Sequence, residues 1–540
     1  MKTLFFIGLV CCSALSMTSA PSLPAVPRFD GLGRHHHPVT TRWELAQRYF
    51  DQGLTLCYNF NHAEAIRSFE AAATVDPDCA MAWWGIAFAY GPNINAPMDD
   101  AAVPKAWAAL HKAIQLKEKA SAKERDYIDA LAKRYAQAPV KDRAALDQAF
   151  ADAMRALAKK YPEDLDAQTL LAEALMDTSP WNYWQEDLTP KPPAKEALAV
   201  IESVLARVPS HSGADHLYIH LVEAGPHPEK GVPSADRIGK LTPKAGHLVH
   251  MASHIYVRVG RYHDASSVNE RASAVDEGYL KKVKPTGTYP GGYYPHNLHF
   301  LWYATGLEGR SKDSIAAAKK VSHYTLDLRC GAIEGPRQRY LPLLAYARFG
   351  RWRDILDEKM PAEEFPFDRA MAHYTRGLAF AALEQASNAV GELEQFKKLQ
   401  SSRTVQDMDN PYFPGTKILA VGNHALAGKI AGAAGKQDEM VQHLRAAVTA
   451  EKALSYMEPP YWDGPATLSL GAALIKAGQP EAAEKIFRET LKQLPENGWP
   501  LFGLEQSLRA QGKEAEAKQA AKEFKKAWKH ADVKLDLAWF

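Results

Sequence analysis

The chain has 540 residues, 46% hydrophobic and 24% charged, proportions that belong to a soluble folded protein. A formal net charge of +2 leaves no electrostatic footprint for nucleic acid, and no basic run is long enough to anchor the chain to an anionic membrane. The length allows several domains or one extended array.

The first twenty residues, MKTLFFIGLVCCSALSMTSA, carry one early Lys2, an apolar run from Leu4 to Leu15 and small residues ending at Ala20. This is the layout of a secretory leader, so the protein is expected to be exported, periplasmic or extracellular. Pro21 beside Ala20 disfavours cleavage at that bond, which leaves the site of cleavage open. No later segment reaches the roughly 18 apolar residues of a membrane span. Cys11 and Cys12 belong to the leader; Cys57, Cys79 and Cys330 remain, an odd number and no disulfide scaffold. Residues 21–40 read as an extended segment containing His35-His36-His37, either a free arm or a source of extra ligands.

From Gly53 the text GLTLCYNFNHAEAIRSFEAAATVDPD sets small or apolar residues at Gly53, Ala65, Phe69 and Ala72, followed by Pro77. A step of 34 residues brings Trp83, Ile86, Ala87 and Tyr90 to the next helix. The same text returns as GAALIKAGQPEAAEKIFRETLKQLP, with Gly471, Gly478, Ala483, Phe487 and Pro495, and its turn recurs at Gly260, Gly309 and Gly350. These are the spacings of a helix–turn–helix unit of about 34 residues. The chain therefore resembles the tetratricopeptide (TPR) repeat family over most of residues 41–530. FNHAEAIRSF, PDCAMAWWGIAFAYGPNIN, HLVHMASHIY and YMEPPYW are similar to an exported bacterial TPR family, a resemblance that implies a fold and assigns no activity. The expected architecture is all-α, an α-solenoid superhelix of roughly nine or ten hairpins. It divides into N-terminal repeats (41–137), central repeats (138–330), and C-terminal repeats with a capping helix (331–540). Helical registry sets Cys57 and Cys79 roughly 15 Å apart, beyond disulfide reach, so both are expected as buried free thiols.

In TPR arrays the first helix of each pair lines the concave groove, and its second, fifth, ninth and twelfth positions point inward. Counted this way, the stretch GHLVHMASHIYVRV brings His247, His250 and His254 inward. The preceding repeat contributes His216, His220 and Glu223 from HLYIHLVE, and the following one His296, His299 and Tyr303. Glu173 takes a ninth position one repeat upstream, while His211, His227 and His263 fall off the inward face. Ten of the twenty histidines lie between His211 and His299. Helices packed about 8–10 Å apart bring such imidazoles within reach of one ion at about 2.0–2.1 Å each.

Seven registered histidines, His216, His220, His247, His250, His254, His296 and His299, exceed one tetrahedral site. One or two transition-metal ions are expected, copper favoured over zinc or iron, since the set is imidazole-rich and lacks thiolate. Glu223 is a candidate ligand or base and Tyr303 a candidate hydrogen-bond donor or redox phenol. Two aromatic loops, DTSPWNYWQEDLTPKPP and TYPGGYYPHNLHF, offer Trp181, Trp184, Tyr293 and Tyr294 as the roof of a substrate pocket. Arg337 is a candidate seat for an anionic group. Gly-rich phosphate loops, the G-x-S-x-G elbow and H-E-x-x-H are absent from the sequence. The expected function is thus a metal-dependent oxidoreductase or hydrolase acting on a small molecule or peptide. The alternatives are a TPR scaffold with a peptide or protein partner and a metal store.

Overall fold

Glycine on a first helix and phenylalanine on the second is the device that joins the repeats. The ring of Phe69 fills the space beside both Gly53 and Gly85, where an added Cβ would meet it at 2.7 and 2.5 Å. Phe487 does the same for Gly471 and Gly503 near the other end of the chain, at 2.4 and 2.2 Å. A small residue is needed on each side because the ring packs against two successive first helices at once. The turn within each pair needs left-handed backbone, and Gly260, Gly309, Gly350 and Gly478 all adopt positive φ.

The computed structural model describes residues 25–324, 338–410 and 412–540. Packed helical pairs follow one another from Glu44–Tyr58 with His62–Val75 to Gly498–Ala510 with Glu514–Ala527. Among the described residues there is no β-strand, only isolated bridges such as Trp184 with Pro190. No described helix is long and apolar enough to cross a membrane. Cys57 and Cys79 are buried free thiols. The segment expected to be a leader, Cys330 and Arg337 lie outside the described residues.

Both ends of the array turn back onto its centre. On the N-terminal side the Leu248 amide donates to Asn59 Oδ1 at 3.1 Å, and Tyr279 Oη donates to Glu64 at 3.1 Å. On the C-terminal side Trp499 Nε1 donates to the Gly306 carbonyl and Tyr262 Oη to the Pro495 carbonyl, both at 3.0 Å. The 25–43 segment is pinned as well: the Lys244 amide donates to the Gly31 carbonyl, and the Thr40 hydroxyl is held by Glu124. The concave face of the central repeats is thereby covered from both sides.

Candidate functional site

Three first helices of successive pairs supply the site. Ser212–Glu223 carries His216, His220 and Glu223; Gly246–His250 and Ala252–Arg258 carry His247, His250 and His254; Tyr294–Leu307 carries His296, His299 and Tyr303. The middle helix is interrupted at Met251, between His250 and His254. Its start is fixed by side chains from elsewhere, the His247 amide donating to Tyr289 Oη at 3.2 Å. The loop expected at TYPGGYYP is instead a π-helical turn, Tyr289–Tyr293, running straight into the Tyr294–Leu307 helix. The extra residue of that turn brings Tyr293 against His247, with ring centres 4.7 Å apart.

The histidines fall into two triads, His216 with His220 and His247, and His250 with His254 and His296. Within each, one ligating atom per residue lies within 4.8 Å of the others. His216, His220, His247, His250 and His254 are at most 1% exposed, and His296 is half-buried. His220 and His254, one from each triad, have ring centres 5.4 Å apart, so the triads adjoin.

Hydrogen-bond partners assign the tautomers. His216 Nδ1 donates to the Tyr58 carbonyl at 2.7 Å. The two oxygens of Glu223 accept from His220 Nδ1 at 2.7 Å and His254 Nδ1 at 2.6 Å. His250 Nδ1 donates at 2.7 Å to Asn269 Oδ1, whose orientation is fixed because its own Nδ2 donates to the Ala265 carbonyl. His216, His220 and His250 therefore carry the proton on Nδ1 and a lone pair on Nε2, while His254, held charged by Glu223, keeps protons on both nitrogens. His216 Nε2, His220 Nε2 and both nitrogens of His247 are buried with no hydrogen-bond partner among the described residues. The Nε2 atoms of His250 and His254 face each other at 2.9 Å. With His254 charged, its Nε2–H donates to the Nε2 lone pair of His250, and an ion taking the place of that proton would find both nitrogens turned toward it. Two bonds of about 2.05 Å at a right angle put nitrogens about 2.9 Å apart.

Charge follows the same geometry. Burial first, and then neighbouring imidazoles, hold His216, His247, His250 and His296 well below the usual histidine range. His254 moves the other way: against the cost of burial, Glu223 raises it to about 9. A second carboxylate, Glu458 from the EPPYW loop, lies with its Oε2 3.5 Å from His254 Nδ1 and accepts from Tyr456 Oη.

Several residues take roles other than those expected from their spacing. His299 leaves the cluster: its ring stacks on Trp302 with centres 5.3 Å apart, and its Nδ1 lies 3.3 Å from Gln338 Nε2. Glu223, expected as a ligand or base, gives both oxygens to imidazole N–H groups, and with His220 and His254 it forms a further grouping whose ligating atoms lie within 4.8 Å of one another. Trp181 stands edge-on to His220, ring centres 5.1 Å apart, and with Tyr293 it does wall the cluster. Trp184 is a strut, its Nε1 donating to the Leu221 carbonyl and its ring lying on Gly225. Tyr294 is fully buried in packing, its Oη held by Glu277. Tyr303 is buried near Arg258, Arg348 and Glu458 and makes no ring contact with the triads. Glu173, raised to about 7 by burial, lies near Arg134 and Tyr293. Arg337 is outside the described residues.

His35 and His37 are not a free arm. Asp166 accepts from His37 Nδ1 at 2.8 Å and from Tyr58 Oη at 2.6 Å. His211 Nε2 lies 3.3 Å from the same carboxylate, and His35 Nε2 lies at 3.0 Å without the alignment of a hydrogen bond. His211 Nδ1 accepts the Ala214 amide, which leaves its proton on Nε2, facing Asp166 and not a metal. Against the cost of burial, these imidazoles hold Asp166 well below the usual carboxylate range. This knot is a carboxylate gathering donors, and Tyr58 ties it to His216. Tyr58, Glu458 and Asp166 carry no signal in the sequence because each comes from a repeat distant in the chain, and Asn269 carries none because it sits on the second helix of its pair, outside the inward-facing register.

No family model and no curated protein matches the chain. Similarity to solved structures extends over most of its length at low identity. A human IFIT1 dimer with m7Gppp-AAAA is 12% identical, with a TM-score of 0.32 over 90% of this chain and 91% of that one. Yeast Tom70 is 13% identical, with 0.30 over 89% and 92%. The P58(IPK) TPR domain is 14% identical, with 0.22 over 87% and 99%. Likeness at that level carries nothing about ligand or chemistry.

Proposed function

We propose that the chain is an exported metal-dependent oxidoreductase holding two transition-metal ions. His216, His220 and His247 would hold one ion, and His250, His254 and His296 the other, with copper favoured over zinc or iron. The observation that carries this reading is the set of four Nδ1 protons, each fixed by an acceptor, which turns four buried Nε2 atoms toward common points, three as lone pairs and that of His254 once a metal displaces its proton. Such outer partners are what metal-bound imidazoles require. Trigonal or tetrahedral sites have N–N separations of roughly 3.4–3.6 Å, so triads within 4.8 Å stand at most about 1.4 Å wide of that.

Copper bound by imidazoles supplies one-electron redox change. The protein's own residues do the rest. Glu223, Asn269 and the Tyr58 carbonyl hold the rings in one orientation. Phe60, whose ring centre lies 4.4 Å from that of His216, and Trp181 keep bulk water away. Hydrolysis fits less well, because it needs a free carboxylate base beside metal-bound water and both oxygens of Glu223 are engaged. A peptide-recognition groove also fits less well, since the histidines are sealed between helices instead of spread along an open channel. Export to an oxidising compartment by the leader suits copper.

Elemental analysis of protein exported by its own leader tests the reading. Two equivalents of copper are expected, falling to one in His216→Ala and to one in His250→Ala. Absence of any transition metal, or content unchanged in both variants, would overturn it.

A further inference from the structure

Arg258 ends the helix that carries His250 and His254, and at i+4 from His254 it lies one turn along the same face. Its Nε is buried with no hydrogen-bond partner, and it forms no ion pair among the described residues. Arg134 and Arg143 also bury an Nε without a partner, yet each is ion-paired through another nitrogen, to Asp177 at 2.5 Å and to Asp147 at 3.1 Å, as Arg348 is to Asp463 at 2.8 Å. Arg258 instead lies over the Tyr456 ring, 5.6 Å from its centre. Glu223, Glu458 and Tyr303 are near enough to act on its charge without meeting it. A cation at a helix C-terminus gains from the helix dipole, yet that gain does not account for a buried Nε left without an acceptor, which is costly.

We propose that Arg258 is the seat for a carboxylate group of the substrate, which it holds one helical turn from His254. A guanidinium fork matches a carboxylate through two parallel hydrogen bonds. The charge around it favours a monoanion. Glu223 and Glu458 already stand near Arg258, so a phosphate dianion would meet more repulsion than a carboxylate. Tyr456 is 38% exposed while its hydroxyl reaches Glu458 and Glu223. The seat therefore lies between solvent and the histidines, where a ligand would enter.

As a substrate site the seat rests on the metal reading above; as a carboxylate site it does not, so the two can fail separately. Calorimetric titration with benzoate, benzamide and inorganic phosphate is made on the full chain, before and after metal loading, with metal content measured on each sample. A free and a C-amidated tripeptide, added in parallel, tell a peptide carboxyl terminus from a small acid. Benzoate or the free peptide is expected to bind and the neutral analogues not. Arg258→Gln should weaken binding by roughly tenfold or more while metal content and melting temperature hold, and Arg258→Lys should retain part of it. Should Arg258→Gln fail to fold, Arg258→Lys decides, with unchanged affinity counting against the seat. Equal binding in wild type and variant, tighter phosphate than benzoate, or no carboxylate binding would overturn the proposal. Loss of metal from wild type with the carboxylate result intact would overturn only the metal reading.

Discussion

His250 and His254 face each other through Nε2 at 2.9 Å because each has its other nitrogen held by an acceptor, Asn269 for one and Glu223 for the other. The helical register makes the positions of His216, His220, His247, His250, His254 and His296 readable from the sequence, since i, i+3, i+4 and i+7 share a face. The orienting partners are not readable, because Tyr58 and Glu458 reach the site from repeats far away in the chain. His299 keeps its inward position in register but turns to Trp302, a rotamer choice that spacing does not fix. Glu223→Gln tests the orienting role. The amide keeps one acceptor oxygen but turns its NH2 toward the other Nδ1, forcing that imidazole to carry its proton on Nε2. Metal affinity is expected to fall about 10- to 100-fold with the fold retained, as measured by competition with a chelator of known affinity.

The repeat text predicts the helical pairs and their glycine turns well, because a 34-residue period repeats one solution to burying one apolar face. Phe69 shows the energetics: its ring is wholly buried against Gly53 and Gly85. Phe69→Ala should cost about 3–5 kcal/mol, read from denaturant unfolding, and a loss below about 1 kcal/mol would mean the joint is not held by that ring. Local features resist such reading. The break at Met251 and the π-turn at Tyr289–Tyr293 depart from the period at the site itself. At the start of the Ala466–Lys476 helix, the Ala466 amide donates to Glu451 at 2.8 Å, and burial raises that carboxyl from 4.5 to about 7. The folded state thus binds this proton more tightly than the unfolded state. Its contribution to stability is full below pH 4.5 and is lost as pH rises through 7. Glu451→Gln should flatten that decline, seen as midpoints of unfolding that change less between pH 4.5 and 7.

A solenoid read only from its period presents an open groove. This one closes on itself: Asn59 and Glu64 reach the central repeats from one side, Trp499 and Pro495 from the other. That closure depends on superhelical curvature, the sum of small rotations between repeats, and no single residue of the sequence encodes it. Its consequence is a cluster of five histidines at most 1% exposed inside a fold whose groove is ordinarily wet. The most direct test is an anomalous-difference map at the copper edge from crystals of the protein purified without added metal. Two peaks are expected, one within bonding distance of His216, His220 and His247 and one of His250, His254 and His296. A map with no peak at either triad, or with its peak at the His35–Asp166–His211 knot, would contradict the account.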